Sequence, residues 1–166
     1  MYKSISEFNE DWKNESQATQ KVLNALTDES LGQAVYPDGR TLGRIARHIT
    51  LTIPEMMGQT GLVFNSPDKK SDIPVSAQII AETYKSLANQ LSNVLSENWT
   101  DAMLDEIIDI YGEKWSRSLV LQVLVRHEIH HRAQITVLMR QAGLKVPGLY
   151  GPSKEEWVAY GMPAEA

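Results

Sequence analysis

RSLVLQVLVRHEIHHRAQITVLMRQAG, residues 117–143, is the stretch on which the fold turns. Its apolar residues recur at helical spacing, and Gly143 followed by Pro147 supplies a stop. The pattern predicts one long helix from about Ser116 to Ala142. Val120, Leu124 and Leu138 share a face of that helix with His127 and His131. A face that mixes core residues with imidazoles has to be covered by other helices.

Three further amphipathic segments are available to cover it. Apolar residues at 5, 8, 12, 22, 23 and 26, opened by Ser4-x-x-Glu7 as a capping box, predict a first helix over Ile5 to Leu26. After the turn cluster YPDGR at 36–40, Thr41 is the N-cap expected for a second helix carrying Leu42, Ile45, Ile49, Ile53, Met56 and Met57. Pro54 falls inside it and removes one backbone donor, which predicts a kink or an early end. A polar connection over 61–75 leads to Ser76 as the cap of a third helix with Ile80, Tyr84, Leu87, Leu91 and Val94 or Leu95 on one face. Between 97 and 115 the pattern fits either a short helix and turn or two short strands around Gly112, and it is read as an ordered insertion. Ser153-x-x-Glu156 predicts one more short helix, bearing Trp157 and Tyr160, in a C-terminal extension. The expected architecture is all-α, a four-helix bundle in one domain, and the connections allow either up-down-up-down order or a crossover.

Composition narrows the function classes. A chain of 166 residues with 42% hydrophobic and 22% charged residues has enough apolar material for one buried core. A net charge of -5 argues against a nucleic-acid backbone as partner, because that binding needs a concentrated basic face. The polar N-terminus and the lack of an 18-residue apolar run predict a cytoplasmic protein without membrane association. With no cysteine there is neither a disulfide nor a thiolate, so any metal must be held by His, Asp or Glu.

The chain has four histidines: His48, His127, His130 and His131. Positions i and i+4 stack on one helix face, so His127 and His131 can meet a single ion, whereas His130 is turned about 100° from its neighbour and looks elsewhere. His48 lies beside Ile45, Ile49 and Thr52 near the core edge of the second helix, where it can supply a third nitrogen. Three neutral imidazoles with an open position are the donor set of a catalytic divalent-metal site. Imidazoles suit zinc, nickel and iron alike.

RHEIHHRAQITVLMRQAGLKVP, preceded by SRSLVLQVLV and taken with a histidine in the second helix, resembles the DinB-like family of damage-inducible bacterial proteins. That family's motif is H-x-x-x-H-R-G-Q followed by apolar residues and Gly; Ala133 stands here in place of its Gly, a change a helix accepts. The resemblance implies a four-helix bundle holding one divalent ion through His48, His127 and His131, and homodimers in many members. It also implies a stress-related setting, with relatives that are thiol-dependent transferases and others that are hydrolases. Arg132 and Gln134, which follow the second helix-4 ligand, are then candidates for contacts that fix an imidazole, as are Glu128 and His130 beside them.

HEIHH also matches the H-E-x-x-H pattern of zinc peptidases, in which the Glu takes a proton from bound water. No third His follows His131, so such a site would need Glu155 or Glu156 as a ligand, and it would leave His48 idle. The three-His bundle is the better reading, with Glu128 solvated or behind the ligands. Glu55, Asp105, Glu106 and Asp109 are read as solvated charges, and Tyr111, Trp115, Tyr150 and Trp157 as core, pocket-mouth or dimer-contact aromatics. The expected function is a metal-dependent hydrolase, or a transferase that joins a low-molecular-weight thiol to a small electrophile. The alternative is a non-enzymatic scaffold that a metal stabilises.

Overall fold

A computed structural model describes residues 1–67 and 76–163. Four helices dominate it: α1 (Ile5–Asn24), α2 (Leu42–Gly58), α3 (Ala77–Asn98) and α4 (Arg117–Gln141). Each begins at a hydroxyl residue, Ser4, Thr41, Ser76 and Ser116 respectively, whose side chain accepts a hydrogen bond from the backbone N–H three residues on. These bonds satisfy one of the otherwise unpaired donors of the first turn. At the end of α4, Gly143 takes a φ of 76° and the Leu144 N–H donates back to the Met139 carbonyl, a left-handed cap.

Pro54 neither ends nor interrupts α2, which runs on to Gly58. Only one backbone donor is lost there, and the buried side chains of Ile53, Met56 and Met57 hold the turn against the core. Residues 68–75 of the polar connection expected after α2 lie outside the described residues.

Packing settles the order that periodicity left open. Helix α1 packs on α3 and α4, and α2 packs on α3 and α4, so α1 is diagonal to α2 and α3 is diagonal to α4. The diagonal steps coincide with two long connections. The first carries a 3-10 turn at Asp28–Gly32; the second carries another at Asp101–Asp105 and the insertion. A short loop would have joined neighbours instead.

The insertion is an antiparallel hairpin of β1 (Ile107–Ile110) and β2 (Glu113–Ser116), with Ile110 paired to Glu113. Its two-residue loop, Tyr111 and Gly112, has positive φ at both positions, 54° and 80°, the twist that a tight hairpin requires. Buried Ile110 anchors the hairpin to the bundle. The C-terminal prediction is corrected in kind: Trp157–Tyr160 forms one 3-10 turn rather than an α-helix. The Glu156 carboxylate does accept from the Ser153 backbone N–H, and a second bond from the Gly148 N–H uses its other oxygen.

The core gathers Phe8 and Trp12 of α1, Ile49 and Ile53 of α2, Tyr84 and Leu91 of α3, and Leu121 and Leu124 of α4. Trp12 crosses to α3 and donates its indole N–H to the Ala88 carbonyl at 3.1 Å. Among the described residues no helix is long and apolar enough to cross a membrane.

Candidate metal centre

Where α2 meets α4, His48, His127 and His131 converge, with one ring nitrogen from each lying within 4.8 Å of the others. His48 Nε2 and His127 Nε2 are 3.1 Å apart. At a metal–nitrogen bond of about 2.1 Å, that separation subtends about 95° at a common ion, between octahedral and tetrahedral geometry. The same distance suits a single N–H···N bond when the site is filled by a proton. The cluster is thus compatible with one divalent ion.

Protonation favours the same use. Burial pushes the His127 imidazole down to about 4, helped by the charges of His131 and His48. His48 and His131 are also lowered, burial again leading. Neutral rings with free lone pairs are the form that binds metals. Gln134 reaches back one turn and places Oε1 2.7 Å from His131 Nδ1, which fixes that ring with Nδ1 as donor and leaves Nε2 as the free acceptor. The Gln134 amide also bonds exposed His130 at 3.2 Å.

Glu128 and Arg132 do something else, and their expected place is corrected. Both are buried, with about 1% of their surface exposed, and neither is solvated. Glu128 Oε1 accepts from the Thr19 hydroxyl at 2.8 Å and from the Tyr84 phenol, so its carboxyl faces α1 and α3 while the imidazoles face α2. Burial raises it to about 7, partly offset by those two donors and by Arg132. Arg132 pairs with Glu15 of α1, bonds the Glu15 carbonyl and the Thr19 hydroxyl, and takes Tyr150 of the C-terminal segment as a further partner. Thr19, Tyr84 and Glu15 thus complete a buried polar chain that the motif reading missed, and exposed Tyr150 closes it at the surface. The signal for it lay in two i, i+4 pairs, Glu15 with Thr19 and Glu128 with Arg132, set among apolar residues on facing helices.

The peptidase arrangement finds no support in this geometry. A general base has to reach the water it deprotonates, and Glu128 is engaged instead with Thr19 of α1 and Tyr84 of α3. Glu155 is bidentate to Arg140, and Glu156 holds backbone N–H groups, so neither joins the imidazoles. Glu106 and Asp109 pair with Arg117 and Lys114. Tyr111, at the hairpin tip, donates to Glu55 at 3.0 Å, which ties the hairpin to α2 nearly two turns beyond His48.

The model of the DinB family matches residues 1–164. The chain belongs to the DinB family. It is 44% identical over 164 residues to the uncharacterized protein YrdA of Bacillus subtilis (strain 168), covering 99% of this chain and 98% of that one. The crystal structure of a DinB-like protein from Bacillus cereus ATCC 10987 superposes with a TM-score of 0.87 at 45% identity, over 90% of this chain and 100% of that one. The DinB-like protein YjoA of Bacillus subtilis shares the fold at 18% identity and a TM-score of 0.67, over 86% and 97% of the two chains. The four-helix bundle and the three-histidine cluster compatible with a metal are thus features of a DinB-family protein.

Proposed function

We propose that this DinB-family protein is a metal-dependent enzyme in which His48, His127 and His131 hold one divalent ion, zinc, nickel or iron, beside an open position. The observation that carries the reading is the donor set: three imidazole nitrogens converge, and among the described residues no fourth His, Asp or Glu joins them. A structural site closes with four protein ligands, whereas a catalytic one keeps a place for substrate. An ion held there supplies a Lewis acid that makes a neighbouring water or thiol more acidic.

The chain's own residues define the rest. Gln134 holds His131 in one tautomer, and burial keeps the imidazoles neutral and the site poor in competing protons. With no cysteine, the chain has no thiol to offer, so in the transfer reaction the nucleophile comes from a low-molecular-weight thiol that attacks a small electrophile; in hydrolysis, water takes its place.

The test is elemental mass spectrometry of the wild type and His48→Ala, with circular dichroism confirming that both fold. It is followed by turnover of a chloronitrobenzene electrophile with and without added cysteine. Near one metal per chain, lost in His48→Ala, supports the centre. Metal-dependent turnover only with thiol supports transfer, and metal without any turnover favours the scaffold alternative.

A further inference from the structure

We infer that the groove beside the histidine cluster binds the substrate of that centre, and that this substrate is a small molecule with an apolar body and one anionic group. The groove, of about 410 Å3, is lined by Val35, Tyr36, Arg40, Ile45, Gln134 and Val137 among others. It adjoins the candidate centre at Gln134, which forms part of its wall and is also bonded to His131. This assignment rests on the reading of the centre given above.

Two features give the groove its chemistry. Val35 and Val137 are more than half exposed, 63% and 55%, which leaves apolar surface open on both sides of it. The Tyr36 ring lies against Gly39 in a turn closed by the Gly39 N–H to Tyr36 carbonyl bond, and a Cβ at position 39 would come within 3.2 Å of the ring carbons. The aromatic wall is therefore formed by the turn itself. Arg40 is the charged member of the lining, and no acidic group among the described residues pairs with it, although the chain carries a net charge of -5. An unpaired guanidinium in the lining of an apolar trough selects a carboxylate or phosphate carried on a hydrocarbon or aromatic body.

The probes are 4-phenylbutyrate and the neutral 4-phenylbutan-1-ol, titrated by calorimetry into the metal-loaded full chain. The expected result is a preference for the acid in wild type that falls by about tenfold in Arg40→Gln. Metal content should be equal in the two proteins, so that the ion's own attraction for carboxylate cancels. Val137→Glu on the opposite wall should weaken both probes. Equal binding of acid and alcohol by wild type, or an undiminished preference in Arg40→Gln, overturns the assignment while leaving the metal centre standing. An Arg40-dependent preference in a wild-type chain that takes up no metal has the opposite meaning: it overturns the centre and keeps the groove.

Discussion

His48 Nε2 stands 3.1 Å from His127 Nε2 across the contact between α2 and α4, so two helices that are separate in sequence share one coordination site. A ligand that binds the folded site but not the unfolded chain stabilises the fold by mass action. Zinc at a hundredfold its dissociation constant should therefore add about 2.7 kcal/mol, or roughly 5–10 °C of Tm for a chain of this size. Differential scanning calorimetry should show that shift in wild type and its loss in His48→Ala. An equal shift in both proteins would place the ion elsewhere.

Gln134 acts on the ion only through His131. Gln134→Ala should leave the three nitrogens in place but free the His131 ring to turn, weakening metal affinity by about 10–100-fold. Competition with a chromogenic chelator measures it. Gln134→Glu keeps an acceptor for Nδ1 and should retain most of the affinity, an outcome that simple loss of packing would not give.

The bundle was legible in the sequence because helix caps and 3.6-residue periodicity are local, and Ser4, Thr41 and Ser76 each cap as their neighbours predict. Neighbour order was not legible: periodicity tells which face is buried, not against which helix. The i, i+4 spacing brought out His127 and His131, and Gln134 followed as the residue three places on. Glu128 was read as solvated or behind the ligands, because an isolated Glu on a helix is usually exposed. Its partners Thr19 and Tyr84 lie 109 and 44 residues away, and only the fold brings them to it. Pro54 was overvalued as a breaker, since burial of Ile53, Met56 and Met57 outweighs one missing backbone bond.

Glu128 separates the bundle site from the peptidase pattern in a single substitution. Glu128→Gln keeps an acceptor for Thr19 and Tyr84, and should bind metal and turn over substrate like wild type. Glu128→Ala should lose about 1–3 kcal/mol by stranding those two buried donors, read as a lower urea midpoint, while metal stoichiometry stays unchanged. A large loss of turnover in Glu128→Gln with metal retained would return this residue to the chemistry.

Arg132 and Glu15 form a buried ion pair, and removing one partner leaves a charge without compensation. Arg132→Met should cost about 3–5 kcal/mol, whereas Arg132→Met combined with Glu15→Leu should recover a large part of it. Urea denaturation of the two single variants and the double variant gives the coupling directly. If the losses simply add, the pair is not coupled as its geometry implies.

The C-terminal segment is held by carboxylates, and its attachment should depend on pH in a defined direction. The Arg140 guanidinium hydrogen-bonded to Glu155 holds that carboxyl down at about 2, and the Gly148 and Ser153 backbone N–H groups lower Glu156. A carboxyl that is more acidic in the fold than in the unfolded chain contributes fully above its ordinary value of about 4.5. That contribution is lost as pH falls from there through about 2. Amide hydrogen exchange over residues 147–160 should therefore show protection, corrected for intrinsic rates, declining as pH drops below 4.5, ahead of global unfolding. Glu155→Gln with Glu156→Gln should already lack that protection at neutral pH. Tyr150 belongs to the same segment and also bonds Glu15, so this detachment should reach the buried Arg132 pair as well.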